Sequence, residues 1–301
     1  MADARDNAVY WAYRLGAAAA QSVPDVVGAP AARGIGRALS LAMPARRRMS
    51  ARHLRRASGG TLRGPALSRA VNGAFDSYAR YWLEMFRLPS IDPERIRRDF
   101  VVDGYEHVEA ALAAGRGAIL ALPHLGGWEF AGAWMHAVQG HRLLVVVEAL
   151  EPRELFDWFV EVRSAMGMDV VAAGPDAVGV LLGALAENRI VCLVSDRDLS
   201  GDGVEVDFFG ERTTLPAGPA LLSVRSGAAL LPVAVYFGSG RSHTAVVRPP
   251  ISTERAGRLR EDLARITQDL AHEFERLIAA APEQWHLMQP NWPSDRSAST
   301  P

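Results

Sequence analysis

The chain has 301 residues, 33 basic and 34 acidic side chains, a net charge of −1 and 49% hydrophobic residues. That length suits one large α/β domain with an added helical layer. The near-neutral charge argues against nucleic acid as a partner, and with no apolar run of roughly 18 residues a single membrane-spanning helix is not expected.

No targeting segment stands out, so the protein is expected to be soluble or to lie on a membrane surface. Every basic residue is arginine. The one cysteine, Cys192, sits inside the apolar run "RIVCLVSD". A lone cysteine fits a reducing compartment and reads as a buried structural thiol.

Residues 5 to about 87 are expected to be helical, punctuated by Pro24, Pro30 and Pro44 and interrupted by a loop from Ser58 to Gly60. The stretch "PARRRMSARHLRR" gathers Arg46, Arg47, Arg48, Arg52, Arg55 and Arg56. Beside an apolar first helix it reads as a patch for an anionic membrane surface, where each arginine is worth on the order of 1 kcal/mol. Next, "AFDSYARYWLEMFRL" sets Phe75, Tyr78, Tyr81, Trp82, Met85 and Phe86 at helical spacing. This stripe reads as core, with a lipid-facing groove as the other reading.

From Phe100 the pattern changes. The runs "GAILALPH", "RLLVVVEAL", "RIVCLVSD", "ALLPVAVYF" and "HTAVVRPPI" read as strands. The segments "GGWEFAGAWMHAVQ", "EPRELFDWFVEVRSAMG", "PDAVGVLLGALAEN" and "PAGPALLSVRSG" read as helices between them. Such alternation predicts an α/β fold, a largely parallel sheet with helices on both faces, here preceded by an N-terminal helical region. A long amphipathic helix is expected from about Glu254 to Ala280. No linker separates two domains. Residues 1–293 read as one unit, with a helical membrane-docking region at 1–90 and a catalytic core at 100–292, and 294–301 as a disordered tail.

In "ILALPHLGGWEF", His124 falls just past a strand, where open α/β sheets bind ligands. Gly126 and Gly127 permit a tight turn and close backbone approach. Glu129 is expected in the first turn of the next helix, where the positive end favours its ionised form. From there its carboxylate can curl back to the imidazole Nδ1, leaving the other ring nitrogen as a base toward the cleft. The nucleophile would be a substrate hydroxyl.

Other signals are weak. "RGIGRALS" follows no strand and lacks a third glycine. No G-x-S-x-G elbow occurs, and no histidine pair has metal-ligand spacing. His53, His107, His136, His141, His243, His272 and His286 read as solvated or locally satisfied.

"HLGGWE" resembles the H-x4-D/E motif of glycerolipid acyltransferases, and its Glu form resembles the lipid A acyltransferase superfamily. The block "SDRDLSGDGVEVDFFGERTTLPAGPALLSVRSGAALLPV" and the segment "PEQWHLMQPNW" are similar to the same superfamily, in particular its phosphatidylinositol mannoside acyltransferase branch from actinobacteria. The likeness runs from about residue 8 to 292. The "FPEGTR" block of the glycerol-phosphate enzymes is missing, which puts a simple glycerol-phosphate acceptor in doubt.

The resemblance implies an O-acyltransferase that moves a long, palmitoyl-type chain from acyl-CoA, a co-substrate, to a mannose hydroxyl of a glycolipid, with no metal or other cofactor. His124 would be the base and Glu129 its partner, and N–H groups near Gly126 and Gly127 would stabilise the oxyanion. Asp196, Arg197 and Asp198 end another strand and would bind acceptor hydroxyls or help to hold His124. Glu148 and Arg163 are candidates for donor contacts. The expected place is the cytoplasmic face of the cell membrane, as a peripheral protein. A lipid A type or other lipid acyltransferase, a thioesterase and a purely lipid-binding surface protein are the alternatives.

Overall fold

A computed structural model describes residues 2–22, 24–148, 151–174 and 176–297. Four helices open the chain: α1 (Ala2–Ser22), α2 (Asp25–Ala42), α3 (Pro44–Ala57) and α4 (Gly64–Arg87). The core follows as α5 (Pro93–Arg98), β1 (Phe100–Asp103), α6 (Glu106–Ala113), β2 (Ala118–Leu122), α7 (Trp128–Ala137), β3 (Leu143–Val147), α8 (Arg153–Ala165) and β4 (Met168–Ala172). Then come α9 (Ala177–Ala186), β5 (Ile190–Val194), β6 (Val204–Phe208), β7 (Glu211–Leu215), α10 (Gly218–Ser226), β8 (Ala229–Phe237), β9 (His243–Val247), α11 (Leu259–Ala280) and α12 (Pro293–Ser297).

Seven strands form one sheet in the order β1-β9-β8-β2-β5-β3-β4. Its pairs are parallel except β8 with β9, which is antiparallel. The central strand β2, "AILAL", is buried along its whole length, as a strand covered on both faces requires. Alternate residues feed two cores. Ile119 and Ala121 pack with Leu185, Leu222, Ile266, Leu270 and Phe274 beneath α9, α10 and α11. Ala118, Leu120 and Leu122 pack with Phe130, Ala133 and Trp134 of α7.

Helix α11 supplies Ile266, Leu270, Phe274, Leu277 and Ile278, all buried, a stripe at helical spacing. It begins at Leu259 rather than near Glu254, because residues ahead of it wrap the helix start. Asp262 accepts the Ala256 N–H at 2.9 Å and Glu261 the Arg258 N–H at 3.2 Å.

Strands β1 and β4 and the antiparallel hairpin β6–β7 come in addition to the expected strands. Residues from 294 to 297 do not form the expected disordered tail: α12 docks, and Asp295 is fully buried. Its carboxylate accepts from Arg56 Nη1 at 2.9 Å and from the Asn291 N–H at 3.2 Å, and lies 3.2 Å from His53 Nε2. Residues 298–301 lie outside the described part.

Those contacts also revise the basic stretch on α3. Arg56 binds Asp295, Glu211 and the Trp292 ring, Arg52 reaches the Ser294 carbonyl at 3.1 Å, and Arg47 holds Asn72 at 2.7 Å. Three of the six arginines are thus engaged in folding, whereas Arg48 and Arg55 are exposed. Among the described residues no helix is long and apolar enough to cross a membrane.

Candidate active site

The site forms where β2 and β5 end side by side. They pair in parallel with Leu122 opposite Val194. Two residues further on, the same register brings His124 opposite Asp196. The Asp196 carboxylate takes the His124 backbone N–H at 3.1 Å on Oδ2 and the ring Nδ1 at 2.6 Å on Oδ1. Trp285 Nε1 donates to Oδ2 at 2.7 Å. Asp196 is completely buried, whereas the His124 side chain remains 39% exposed. Burial alone would raise the Asp196 carboxyl. The His124 charge and the hydrogen bonds from His124 and Trp285 outweigh it and hold the group below its ordinary value. An ionised Asp196 fixes the proton on Nδ1, so the Nε2 of a neutral imidazole is left with a lone pair.

The turn after His124 requires its glycines. Gly126 has φ of 61°, and a Cβ there would overlap the Val235 carbonyl. A Cβ on Gly127 would press on Phe237 at 2.8 Å and on His243 at 3.0 Å. Both N–H groups are already engaged, Gly126 with the Gln284 carbonyl at 3.0 Å and Gly127 with that of Val235 at 3.3 Å. The expectation that they form an oxyanion hole is therefore corrected: in this conformation they tie the turn to β8 and to the segment before Trp285.

Glu129 does lie in the first turn of α7, but it does not curl back onto His124. It is buried and accepts from Arg163 Nη2 at 2.6 Å and from the Tyr81 hydroxyl at 3.3 Å. The in-register carboxylate of the neighbouring strand occupies the Nδ1 position, and Glu129 turns toward α4 and α8. Arg163, expected to meet the donor, is its counter-ion. Burial of the Tyr81 phenol, reinforced by the Glu129 charge, raises it well above the ordinary tyrosine value. It stays a neutral donor.

Asp198 is also corrected. Its carboxylate accepts the N–H groups of Gly201 at 2.9 Å and Gly203 at 3.0 Å and the Thr214 hydroxyl at 2.7 Å. It shapes its own loop rather than pairing with Asp196 around a sugar, and Asp196, fully buried, has no surface to offer one. Arg197, half-buried, and Glu148, exposed, stand on the wall of the adjoining cavity.

That cavity measures about 370 Å³, within the usual range of about 300–1,000 Å³ for ligand pockets. Leu120, Leu122, Val145, Cys192 and Val194 of the sheet form one wall, and Ala131, Gly132 and Met135 of α7 form another. Tyr78, Tyr81 and Trp82 of α4 close a third side, so this stripe is partly core and partly chamber wall. Met168 touches the position of Gly132, where a Cβ would lie 2.5 Å from its sulfur. His124 stands on the wall of this chamber, edge-on to Trp128, which stacks on Tyr81 at 4.3 Å. Burial pushes the Cys192 thiol up to about 12, so it contributes a neutral surface and no nucleophile.

Two residues of the site escaped sequence reasoning. Trp285 anchors Asp196. His286, read as solvated or locally satisfied, is buried against the chamber. Its backbone N–H donates to the His124 carbonyl at 2.7 Å and its Nε2 lies 2.9 Å from the Ser77 hydroxyl. Burial, with help from the His124 charge, pushes its imidazole down to about 3, so it is neutral. Only the block "PEQWHLMQPNW" pointed to this segment, since an isolated Trp-His pair has no spacing that signals chemistry.

The chain matches the model of the family described as bacterial lipid A biosynthesis acyltransferase over residues 3–294. A phosphatidylinositol mannoside acyltransferase of Mycobacterium tuberculosis is 45% identical over 232 residues, covering 75% of this chain and 71% of that protein. One from Mycolicibacterium smegmatis is 42% identical over 230 residues, covering 75% of this chain and 73% of its own length. The match spans nearly the whole chain, and the chain belongs to the bacterial lipid A biosynthesis acyltransferase family.

Proposed function

We propose that this protein transfers a long acyl chain, palmitoyl or similar, from acyl-CoA to a mannose hydroxyl of phosphatidylinositol mannoside. The observation that carries this is the 2.6 Å His124–Asp196 pair on the wall of an apolar chamber. The names of the mycobacterial relatives support the acceptor.

The chain of the donor lies in the chamber against Leu120, Val145 and Gly132, and its thioester carbonyl stops beside His124. His124 Nε2 takes the proton of the acceptor hydroxyl as its oxygen attacks the carbonyl carbon. Asp196 stabilises the imidazolium that forms. The tetrahedral intermediate collapses, the carbon–sulfur bond breaks, and the coenzyme A thiolate takes the proton from His124. Water attack in place of the sugar would give a free fatty acid instead of an ester.

Peripheral attachment to the cytoplasmic membrane surface belongs to the same reading. Six of the ten exposed large hydrophobic residues among those described lie on α1 and α2, among them Trp11, Leu15, Ile35 and Leu41. With the exposed Arg48 and Arg55, they supply apolar and basic side chains of the kinds that bind an anionic membrane surface.

The test uses purified protein, radiolabelled palmitoyl-CoA and phosphatidylinositol mannoside in mixed vesicles. The expected product carries label in ester linkage on mannose and is lost in His124→Ala. Label found only as free palmitate, or equal turnover by His124→Ala, overturns the proposal.

A further inference from the structure

A second cavity of about 680 Å³ opens beside the first, bordered by α2, α4 and the turn between β8 and β9. Helix α4 divides the two. Tyr78, Tyr81 and Trp82 face the catalytic chamber, whereas Ser77, Arg80 and Glu84 face this cavity. The first turn of α7 completes the partition, with Glu129 on one side and Phe130 on the other. Five arginines and three carboxylates line the second cavity, with Arg80 paired to Glu84 and Arg95 to Asp99.

Among the described residues, five buried side-chain polar atoms have no hydrogen-bond partner. Three of them, Asp76 Oδ1, Arg80 Nη2 and His243 Nδ1, belong to residues that line this one cavity. Buried polar atoms are nearly always paired, so three unpaired atoms around one space point to a ligand that pairs them. The Arg80 fork is already fixed. Its Nε donates to Glu84 at 2.7 Å and its Nη1 to the Gly238 carbonyl at 3.1 Å, while the guanidinium lies 4.3 Å over the Phe237 ring. His243, 1% exposed, donates from Nε2 to the other oxygen of Glu84 at 2.7 Å and stacks on Phe130 at 4.0 Å. Glu84 thus holds the two nitrogen-bearing groups side by side. Arg80 Nη2 is an unpaired donor, whereas Asp76 Oδ1 and the lone pair on His243 Nδ1 are acceptors that call for a hydroxyl or N–H. A guanidinium donor beside two acceptors matches a phosphate ester that also carries hydroxyls.

We propose that this cavity binds the phosphorylated polyol of a lipid headgroup, with the phosphate on Arg80 and polyol hydroxyls donating to Asp76 and to His243 Nδ1. Its assignment to the acceptor lipid rests on the acyl-transfer reading; the binding site itself does not. In that assignment the acceptor is held on one side of α4 and the donor chain on the other, and the sugar crosses the first turn of α7 to reach His124.

The test is calorimetric titration of the full chain with glycerophosphoinositol, inorganic phosphate and free coenzyme A. It is run on wild type, Arg80→Gln, Arg241→Gln and His124→Ala. Glycerophosphoinositol is expected to bind wild type and His124→Ala alike. Arg80→Gln should weaken it at least tenfold, the loss of one charge-assisted hydrogen bond. Arg241 sits on an exposed turn at the rim, so Arg241→Gln keeps the fold and should weaken binding severalfold even where Arg80→Gln does not fold. Coenzyme A should bind equally to wild type and both arginine variants.

Absence of glycerophosphoinositol binding overturns the proposal, as does unchanged affinity in the folded arginine variants. Inorganic phosphate binding as tightly as glycerophosphoinositol, or coenzyme A competing with it, also overturns it. Normal headgroup binding in a protein that makes no acylated mannoside would sink the acyl-transfer reading and leave the site standing.

Discussion

Replacing Asp196 by Asn tests the dyad at its least exposed atom. The carboxylate accepts three N–H groups, at 2.6 Å from His124 Nδ1, 3.1 Å from the His124 backbone and 2.7 Å from Trp285. An amide has one oxygen and one NH2. With the oxygen kept toward the backbone and Trp285 donors, the NH2 faces Nδ1, which must then be the unprotonated nitrogen. The proton moves to Nε2, and the base that should receive the acceptor proton is lost. The variant keeps the shape of the site but the wrong tautomer, so kcat should fall by about 10²–10⁴-fold with KM for palmitoyl-CoA little changed. The assay is the initial rate of ester formation at saturating palmitoyl-CoA, with the melting temperature as a control on folding. A folded Asp196→Asn with kcat within threefold of wild type would refute the assignment of Asp196 as the orienting group.

Glu129→Ala removes the counter-ion of Arg163 in a nearly dry pair, whose side chains are 5% and 13% exposed, and should cost about 3–5 kcal/mol of stability. Urea denaturation measures it, and a loss under 1 kcal/mol would contradict the buried pair. Gly132→Leu places a side chain where even a Cβ lies 2.5 Å from the Met168 sulfur. It should shift preference toward shorter acyl-CoA, and an unchanged chain-length profile would show that the chain runs elsewhere. Asp295 is held below its ordinary value: burial opposes this, but the His53 and Asn291 hydrogen bonds, the His53 charge and Arg56 outweigh it. A depressed folded value stabilises above the unfolded value of about 3.9 and loses that contribution as pH falls through the folded one. Asp295→Asn should therefore lower the melting temperature at pH 7 and flatten its acid dependence between pH 5 and 2. Identical curves for variant and wild type would remove Asp295 from the account of acid stability.

Much of the architecture was legible because the central strands are buried on both faces. "AILAL" and "IVCLV" are apolar without interruption, and only a covered strand tolerates that. The strands passed over are those with an exposed side. In β1 and β4 only the first residue is fully buried, so neither gives a continuous apolar run. The position of His124 at a strand end could be read from one segment. Its partner was open to two readings, Glu129 or an acidic residue at the end of β5, and the structure gives Asp196, because β5 follows β2 in space and not in sequence, with β3 and β4 made between them. Glu129 was the nearer carboxylate along the chain, and proximity along the chain favoured it. The segment around Trp285 carried no periodicity at all; its importance lies in three-dimensional contacts to Asp196 and His124.

Those contacts bear on when the site comes into being during synthesis. Asp196 receives a hydrogen bond from Trp285, its backbone carbonyl is held by Asn291 Nδ2 at 3.2 Å, and the backbone of Leu125 bridges to Trp285. All of these partners are translated after every strand of the sheet. Since chains emerge N-terminal part first, a nascent sheet can bring His124 and Asp196 together before the groups that desolvate and brace them exist. On that order of synthesis a half-made protein would carry a wet, unbraced pair until the segment after α11 packs over it. A released chain truncated before Trp285 should be inert even where its sheet forms.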